Sequence, residues 1–264
     1  MRRSDRGSIA CVLASGGLDS AVLLRDALRT YGRVQPLYVR GGLVWESIEI
    51  KYLRRLLRAL RSPRLLPLSF IDVPMGDLYA GHWSISGRRA PGFHDGDASV
   101  YIPGRNIALF SKAATFCALR RIPVLVSGIL DANPFPDGSP AFFRAMERAL
   151  SAGLGAPIRI RAPFRRLSKD RVILRGRDLP LDLTFSCINP APGGRHCGDC
   201  CKCAERTWAF GRARIADPTD YARGPGGGRT APVSRPSPAS RPSPASRPSR
   251  PSAAAPSRTT RAAP

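Results

Sequence analysis

The sequence predicts an α/β fold: a mainly parallel, doubly wound sheet of about five strands, with a cysteine-rich helical segment and a tail at its carboxyl end. Three observations point there. Short apolar runs alternate with segments whose apolar residues recur at helical spacing. The first apolar run ends in a double-glycine corner of the kind that joins a strand to a helix. Hydrophobic residues make up 43% of the 264 positions, which supports a packed core and excludes a chain without one.

Taken in order, Ile9 to Leu13 reads as a short buried strand and Asp19 to Tyr31 as the helix after it. Val34 to Val39 is a second strand. Glu46 to Leu60 is a helix with Leu53, Leu56, Leu57 and Leu60 on one stripe. Leu65 to Val73 reads as a third strand, Arg105 to Leu119 as a helix and Pro123 to Gly128 as a fourth strand. Ser139 to Gly153 is a further helix, and Ile158 to Arg161 a fifth strand. Strands alternating with helices imply parallel neighbours with right-handed crossovers. Ligands of such sheets lie beyond the carboxyl ends of the strands.

Three regions are expected: an α/β domain over 1–180, a cysteine-rich segment over 181–221 and a disordered tail over 222–264. The tail contains Ser-Arg-Pro-Ser-Pro-Ala twice, at Ser234 to Ala239 and Ser240 to Ala245. That composition offers no apolar face to bury. The chain has 42 Lys+Arg against 19 Asp+Glu, a formal net charge of +23, and only Lys51, Lys112, Lys169 and Lys202 are lysines. Eight arginines and no acid lie beyond Tyr221, so the body carries +15. Such a balance favours anionic partners such as nucleotides or RNA, and weak non-specific anion binding is expected of the tail. No apolar run reaches the ~18–20 residues of a membrane span, and the amino terminus lacks the pattern of a signal peptide. A cytoplasmic protein without a membrane partner is the expectation.

The first loop reads Ser15-Gly16-Gly17-Leu18-Asp19-Ser20. Two glycines let the backbone turn tightly and approach a ligand with no Cβ between them. The loop amides and the hydroxyls of Ser15 and Ser20 then face a helix start, whose dipole attracts phosphate. Asp19 would repel a bare phosphate, which suggests a bridging Mg²⁺ or a helix-capping role. The blander alternative is a plain capped corner between strand and helix.

Cysteines cluster near the carboxyl end. Cys187, Cys197, Cys200 and Cys203 carry the spacing of a metal knuckle, and four thiolates suit tetrahedral Zn²⁺. Cys201, between two ligands, is expected to point away, and His196 is a spare ligand. Cys11 and Cys117 fall in apolar surroundings and read as core. His82 and His94 lie in a polar, glycine-rich loop.

The phosphate loop resembles the Ser-Gly-Gly-x-Asp-Ser signature of the ATP pyrophosphatase (PP-loop) superfamily, which implies an adenine nucleotide alpha hydrolase-like fold and cleavage of ATP between its α and β phosphates. With the four cysteines, the chain resembles the 7-cyano-7-deazaguanine synthase family. Pro103-Gly104-Arg105-Asn106, the segment Pro163 to Val172, and Thr184-Phe185-Ser186-Cys187 with Cys197-Gly198-Asp199-Cys200 also resemble that family's motifs. The resemblance spans positions 9 to 210. It departs at Tyr38 to Glu46 and at Phe135 to Phe142, where the family's Cys, Arg and Glu are missing.

The resemblance implies an ATP-dependent C–N ligase that converts 7-carboxy-7-deazaguanine and ammonia to the nitrile through adenylated intermediates, with ATP, Mg²⁺ and Zn²⁺ as cofactors and a homodimer left open. On that basis Ser15, Gly16, Gly17, Leu18, Asp19 and Ser20 bind the nucleotide. Lys169, Asp19 and Arg105 are the catalytic candidates: Lys169 meets the departing pyrophosphate, and Arg105 clamps phosphate or carboxylate. Asp137 and Arg206 are candidates for substrate binding, the first reading a guanine-like edge through paired acceptors, while Asn106 caps its helix. The altered motifs leave open another carboxylate as acceptor, or a tRNA-modifying enzyme of thiolation or lysidine type. A non-catalytic nucleotide- or RNA-binding module is the third reading.

Overall fold

A computed structural model describes residues 7–131 and 133–226. The expected tail falls largely on positions 227–264, outside the described residues. Five strands form one sheet: β1 (Ile9–Leu13), β2 (Arg33–Arg40), β3 (Ser69–Asp72), β4 (Val124–Val126) and β5 (Arg159–Arg161). All neighbours are parallel, in the order β3-β2-β1-β4-β5. The principal helices are α1 (Leu18–Thr30) and α2 (Glu46–Leu60), then α3 (Gly76–Tyr79), α4 (Trp83–Ser86) and α5 (Arg105–Leu119). They continue with α6 (Pro140–Leu154), α7 (Lys169–Arg175) and α8 (Cys201–Ala213). No helix among the described residues is long and apolar enough to cross a membrane.

The sheet is buried on both faces because successive side chains of a strand point to opposite sides. Ala10 and Val12 of β1 join Leu53, Leu56 and Val172 in the core beneath α1, α2 and α7. Cys11, between them, turns the other way and packs with Phe110, Cys117 and Phe143 beneath α5 and α6. Cys11 and Cys117 are therefore core, as the sequence suggests. The expected helix 139–153 appears one residue on, as α6. Ser139 caps it by accepting from the Phe142 amide at 3.1 Å, Pro140 opens it, and Gly155 at φ +59° closes it.

The third strand is shorter than its apolar pattern suggests. Leu65 makes only an isolated bridge to Val34, and regular pairing begins at Ser69. Pro67, which has no amide to donate, separates the two stretches.

Strand order places the site. From β1 the chain builds outward through β2 to β3, then returns to the other side of β1 as β4. The connections leaving the carboxyl ends of β1 and β4 thus diverge to opposite faces, and a crevice opens between them.

Candidate active site

That crevice is a cleft of about 430 Å³. Ser15, Gly17, Asp19 and Ser20 line it from the β1 side, Ser127 and Gly128 from the β4 side. Gly16 holds φ +81°, and a Cβ there would come within 2.9 Å of the Glu49 carbonyl and 3.2 Å of Leu53. The position therefore requires glycine twice over, for its dihedral and for its contact with α2. Gly17 precedes α1 with no side-chain cap. Ser15 donates its amide to Ser20 Oγ at 3.0 Å, and Ser15 Oγ accepts from Gly17 at 3.3 Å. The loop is folded on itself, with the α1 amino terminus directed at the cleft. The corner is also tied to the carboxyl-terminal segment, since Phe185 donates its amide to the Gly16 carbonyl at 2.9 Å.

Asp19 lies within the first turn of α1, with Gly17 in the capping position, so the capping alternative does not hold. Instead Asp19 Oδ2 accepts from Lys169 Nζ at 2.7 Å, while its Oδ1 is buried with no partner. Lys169 opens α7 and also lies 3.4 Å from Glu205 Oε1. Glu205 Oε2 in turn accepts from Lys202 Nζ at 2.8 Å. The arrangement follows from packing: Leu18 of α1, Ile173 of α7, and Ala209 and Phe210 of α8 share one buried cluster. That cluster brings the first turns of three helices to one edge of the cleft.

Two cations and two carboxylates in a desolvated edge fix one another's charge. Burial works to lower the Lys169 ammonium, but the charges of Asp19 and Glu205 outweigh it and hold Lys169 above its ordinary value. Burial would raise Glu205, yet Lys169 and Lys202 bring it down to about 2. Asp19 is raised, because burial exceeds the attraction of Lys169. The edge therefore presents protonated lysines at neutral pH to whatever enters the cleft.

On the opposite wall, Arg105 is exposed at the start of α5 and has no carboxylate within ion-pair distance among the described residues. Asp137, buried beside it, accepts from the Asn106 amide at 3.1 Å through Oδ2. Asn106 donates its side-chain amide to the Asp137 carbonyl at 3.0 Å. Asn106 therefore does not cap its helix as expected: Asp137 satisfies the first turn of α5, and the Asn106 side chain braces Asp137. Glu49 lines the cleft from α2 and accepts from the Tyr38 hydroxyl at 2.6 Å. Burial pushes the Glu49 carboxyl up to about 7, against Tyr38 and Arg105.

Arg206 does not reach the cleft. It is 1% exposed and donates to Thr184 Oγ1 at 2.9 Å, Ser186 Oγ at 3.3 Å, the Leu181 carbonyl at 3.0 Å and Thr219 Oγ1 at 2.5 Å. Asp217 balances its charge at 3.8 Å. Its guanidinium is consumed in clamping the segment around Thr184 to the segment around Thr219, so none of it faces a ligand.

The sulfurs of Cys187, Cys197, Cys200 and Cys203 lie within 4.8 Å of one another, all buried. Four of their separations are 3.5–3.8 Å. A tetrahedron of thiolates with metal–sulfur bonds of about 2.3 Å has an edge of about 3.8 Å, so the set fits a single metal ion. Cys201 stands outside this set, buried beside it. His196 is no ligand either: Nε2 accepts from the Ser186 amide at 3.1 Å, and burial takes the ring down to about 3, so it is neutral. His82 caps α4 by accepting from the Ser84 amide at 3.3 Å, and His94 is exposed.

Lys202, Glu205 and Glu49 are cleft residues that sequence reasoning missed. A signal existed for two of them. Lys202 is one of only four lysines, and Glu205 follows it at the i, i+3 spacing that pairs charges on a helix. For Glu49 there was none, since a glutamate on an amphipathic helix normally faces water.

Residues 9–214 match the family model described as queuosine biosynthesis protein QueC. The chain is 34% identical over 226 residues to 7-cyano-7-deazaguanine synthase of Anaeromyxobacter dehalogenans, covering 81% of this chain and 96% of that protein. To the synthase of an Azoarcus species it is 37% identical over 228 residues, covering 80% and 96%. Among solved structures it is similar, with a TM-score of 0.45 and 13% identity, to the U34-tRNA thiolase NcsA from Methanococcus maripaludis, over 72% of this chain and 61% of that one. With the family match running from β1 to the end of α8, and relatives above 30% identity aligned over four-fifths of its length, the chain belongs to the QueC family of queuosine biosynthesis proteins.

Proposed function

We propose that the protein is an ATP-dependent ligase that converts 7-carboxy-7-deazaguanine and ammonia to 7-cyano-7-deazaguanine. The observation that carries this reading is the meeting, at one edge of a single cleft, of the Ser15–Ser20 loop with Lys169, in a chain whose family match covers residues 9–214. The α-phosphorus of ATP, held over the loop, is attacked by the substrate carboxylate. The bond to the β-phosphate breaks, and pyrophosphate leaves with the electron pair. Lys169 faces that leaving group, where a fixed positive charge in a water-poor site lowers the barrier most. Ammonia then displaces AMP from the acyl carbon to give the amide. Adenylation of the amide oxygen and loss of a second AMP give the nitrile.

Asp19 fits a divalent cation, because its buried Oδ1 has no protein partner. Mg²⁺ there would supply charge neutralisation for the phosphates. Zn²⁺ is the ion the four thiolates suit, and with all positions filled by sulfur its work is structural. Arg105, exposed at the cleft wall and without an ion pair among the described residues, is assigned to a phosphate or carboxylate of the substrates. Asp137 keeps Oδ1 for a base edge while Oδ2 caps α5. Arg206 is assigned to holding the carboxyl-terminal segment.

By this reading positions 1–180 form the nucleotide-binding domain, 181–221 the metal-binding segment and 222–264 a tail whose arginines add a weak, salt-dependent anion contact. Four reduced thiolates fit a cytoplasmic setting. The tRNA-thiolation alternative has less support: Cys201, the thiol left over beside the knuckle, is buried and pushed up to about 12, the reverse of what a sulfur carrier needs.

The test is turnover with ¹⁵N-ammonium and 7-carboxy-7-deazaguanine. The nitrile should carry one ¹⁵N, with two AMP formed per nitrile. AMP formation that ignores the acceptor, or an unchanged acceptor, would refute the assignment.

A further inference from the structure

Lys202 is bracketed by two of the four metal-binding sulfurs. Cys200 precedes α8 and Cys203 lies in its first turn, so anchoring those two sulfurs fixes the backbone that carries Lys202 between them. Cys200 and Cys203 turn toward the sulfur cluster, while Lys202 and Glu205, three residues apart, turn toward the cleft and line it. From there a chain of alternating charges runs Lys202–Glu205–Lys169–Asp19, with separations of 2.8, 3.4 and 2.7 Å. Glu205 holds two ammonium groups side by side. A polyanion entering the cleft beside the Ser15–Ser20 loop would meet both.

Lysine is also informative in a chain that otherwise uses arginine. A compact ammonium on a flexible stem can follow a phosphate as it moves away, where a planar fork clamps it.

We propose that Lys202 is a second cation for the β and γ phosphates, alongside Lys169, and that the four-cysteine knuckle holds it in place. The knuckle is then coupled to the nucleotide site, because the metal orders the turn from which one phosphate ligand projects. The inference rests on the reading that the triphosphate lies against the Ser15–Ser20 loop. It does not depend on which acceptor the enzyme uses.

The test uses the full chain with Zn²⁺ bound and no acceptor. Binding of inorganic pyrophosphate, of α,β-methylene-ATP (which cannot release pyrophosphate) and of AMP is titrated for the wild type and for Lys202→Met. Metal content and melting temperature are measured for both. Loss of one charge-assisted contact should weaken pyrophosphate and the analogue about tenfold or more, with AMP affinity and metal content unchanged. Pyrophosphate binding equal to wild type, or an equal loss for AMP, overturns the role of Lys202. For the coupling, Zn²⁺ affinity is measured by chelator competition with and without pyrophosphate. Binding linkage is reciprocal, so pyrophosphate should tighten Zn²⁺ in the wild type more than in Lys202→Met. The same effect in both proteins, or none in the wild type, overturns the coupling. A chain that binds pyrophosphate through Lys202 yet makes no nitrile would refute the proposed acceptor and leave this inference standing.

Discussion

Single side chains in the cleft have opposite electrostatic tasks. On the proposed reading Lys169 meets pyrophosphate as a cation, and against burial the charges of Asp19 and Glu205 hold it above its ordinary value. Lys169→Met should therefore lower kcat about 10²-fold or more in steady-state AMP release, with the fold intact by circular dichroism. Glu49 sits in the reverse situation, because its partner is a neutral hydroxyl and burial has raised it to about 7. A carboxyl raised above its unfolded value of roughly 4.5 binds more protons folded than unfolded between those two pH values. Its contribution is thus present below pH ~4.5 and lost as pH climbs through about 7. Glu49→Gln should be more stable than wild type at pH 8, by about 1–3 kcal/mol, with the advantage shrinking toward pH 5. Urea midpoints at the two pH values check this. An advantage of the same size at both would show that Glu49 is not held above its ordinary range. Arg206 shows the limit of motif reasoning at this scale. Its position three residues after Cys203 suggested the pocket, and Lys202, one turn earlier on α8, does line the cleft, but the Arg206 guanidinium is drawn instead to Thr184, Ser186, Thr219 and the Leu181 carbonyl.

Among the elements, the Ser15–Ser20 corner was the most legible, because its glycines have a backbone task that the sequence displays. Gly16 meets that task twice, through its left-handed φ and its approach to the Glu49 carbonyl. Gly16→Ala should destabilise the fold by about 1–2 kcal/mol and weaken ATP binding, whereas Gly153→Ala, an open position on α6, should raise stability by about 0.5–1 kcal/mol and leave ATP binding unchanged. Thermal melts and nucleotide titrations of the two variants make the comparison. The helices 46–60 and 105–119 were legible from apolar spacing or from the Pro-Gly that precedes them. β3 was over-extended, because a run of leucines reads as strand until Pro67 removes an amide from the ladder. The short α3 and α4, four residues each, were missed because one helical turn carries no periodicity.

At the scale of the molecule, the sequence displayed the two ends of the site but not their meeting. The loop at 15–20 and the lysine at 169 are about 150 positions apart, and only the burial of α1, α7 and α8 against one another sets Asp19 2.7 Å from Lys169. The cysteine spacing declared a metal knuckle. Nothing in it declared that the knuckle's own helix would contribute Lys202 and Glu205 to the cleft, since that depends on which face of α8 packs. The net charge of +23 was a poor guide in the same way. The lysines that line the cleft are two of 42 basic residues, distinguished by their shared partner Glu205 and not by number. On the proposed reading, this cleft grips a nucleoside triphosphate so that pyrophosphate departs. Isotope exchange tests it most directly: with 7-carboxy-7-deazaguanine present and ammonia withheld, labelled pyrophosphate should pass into ATP. Turnover that instead yields ADP and inorganic phosphate, with no label entering ATP, would contradict the account.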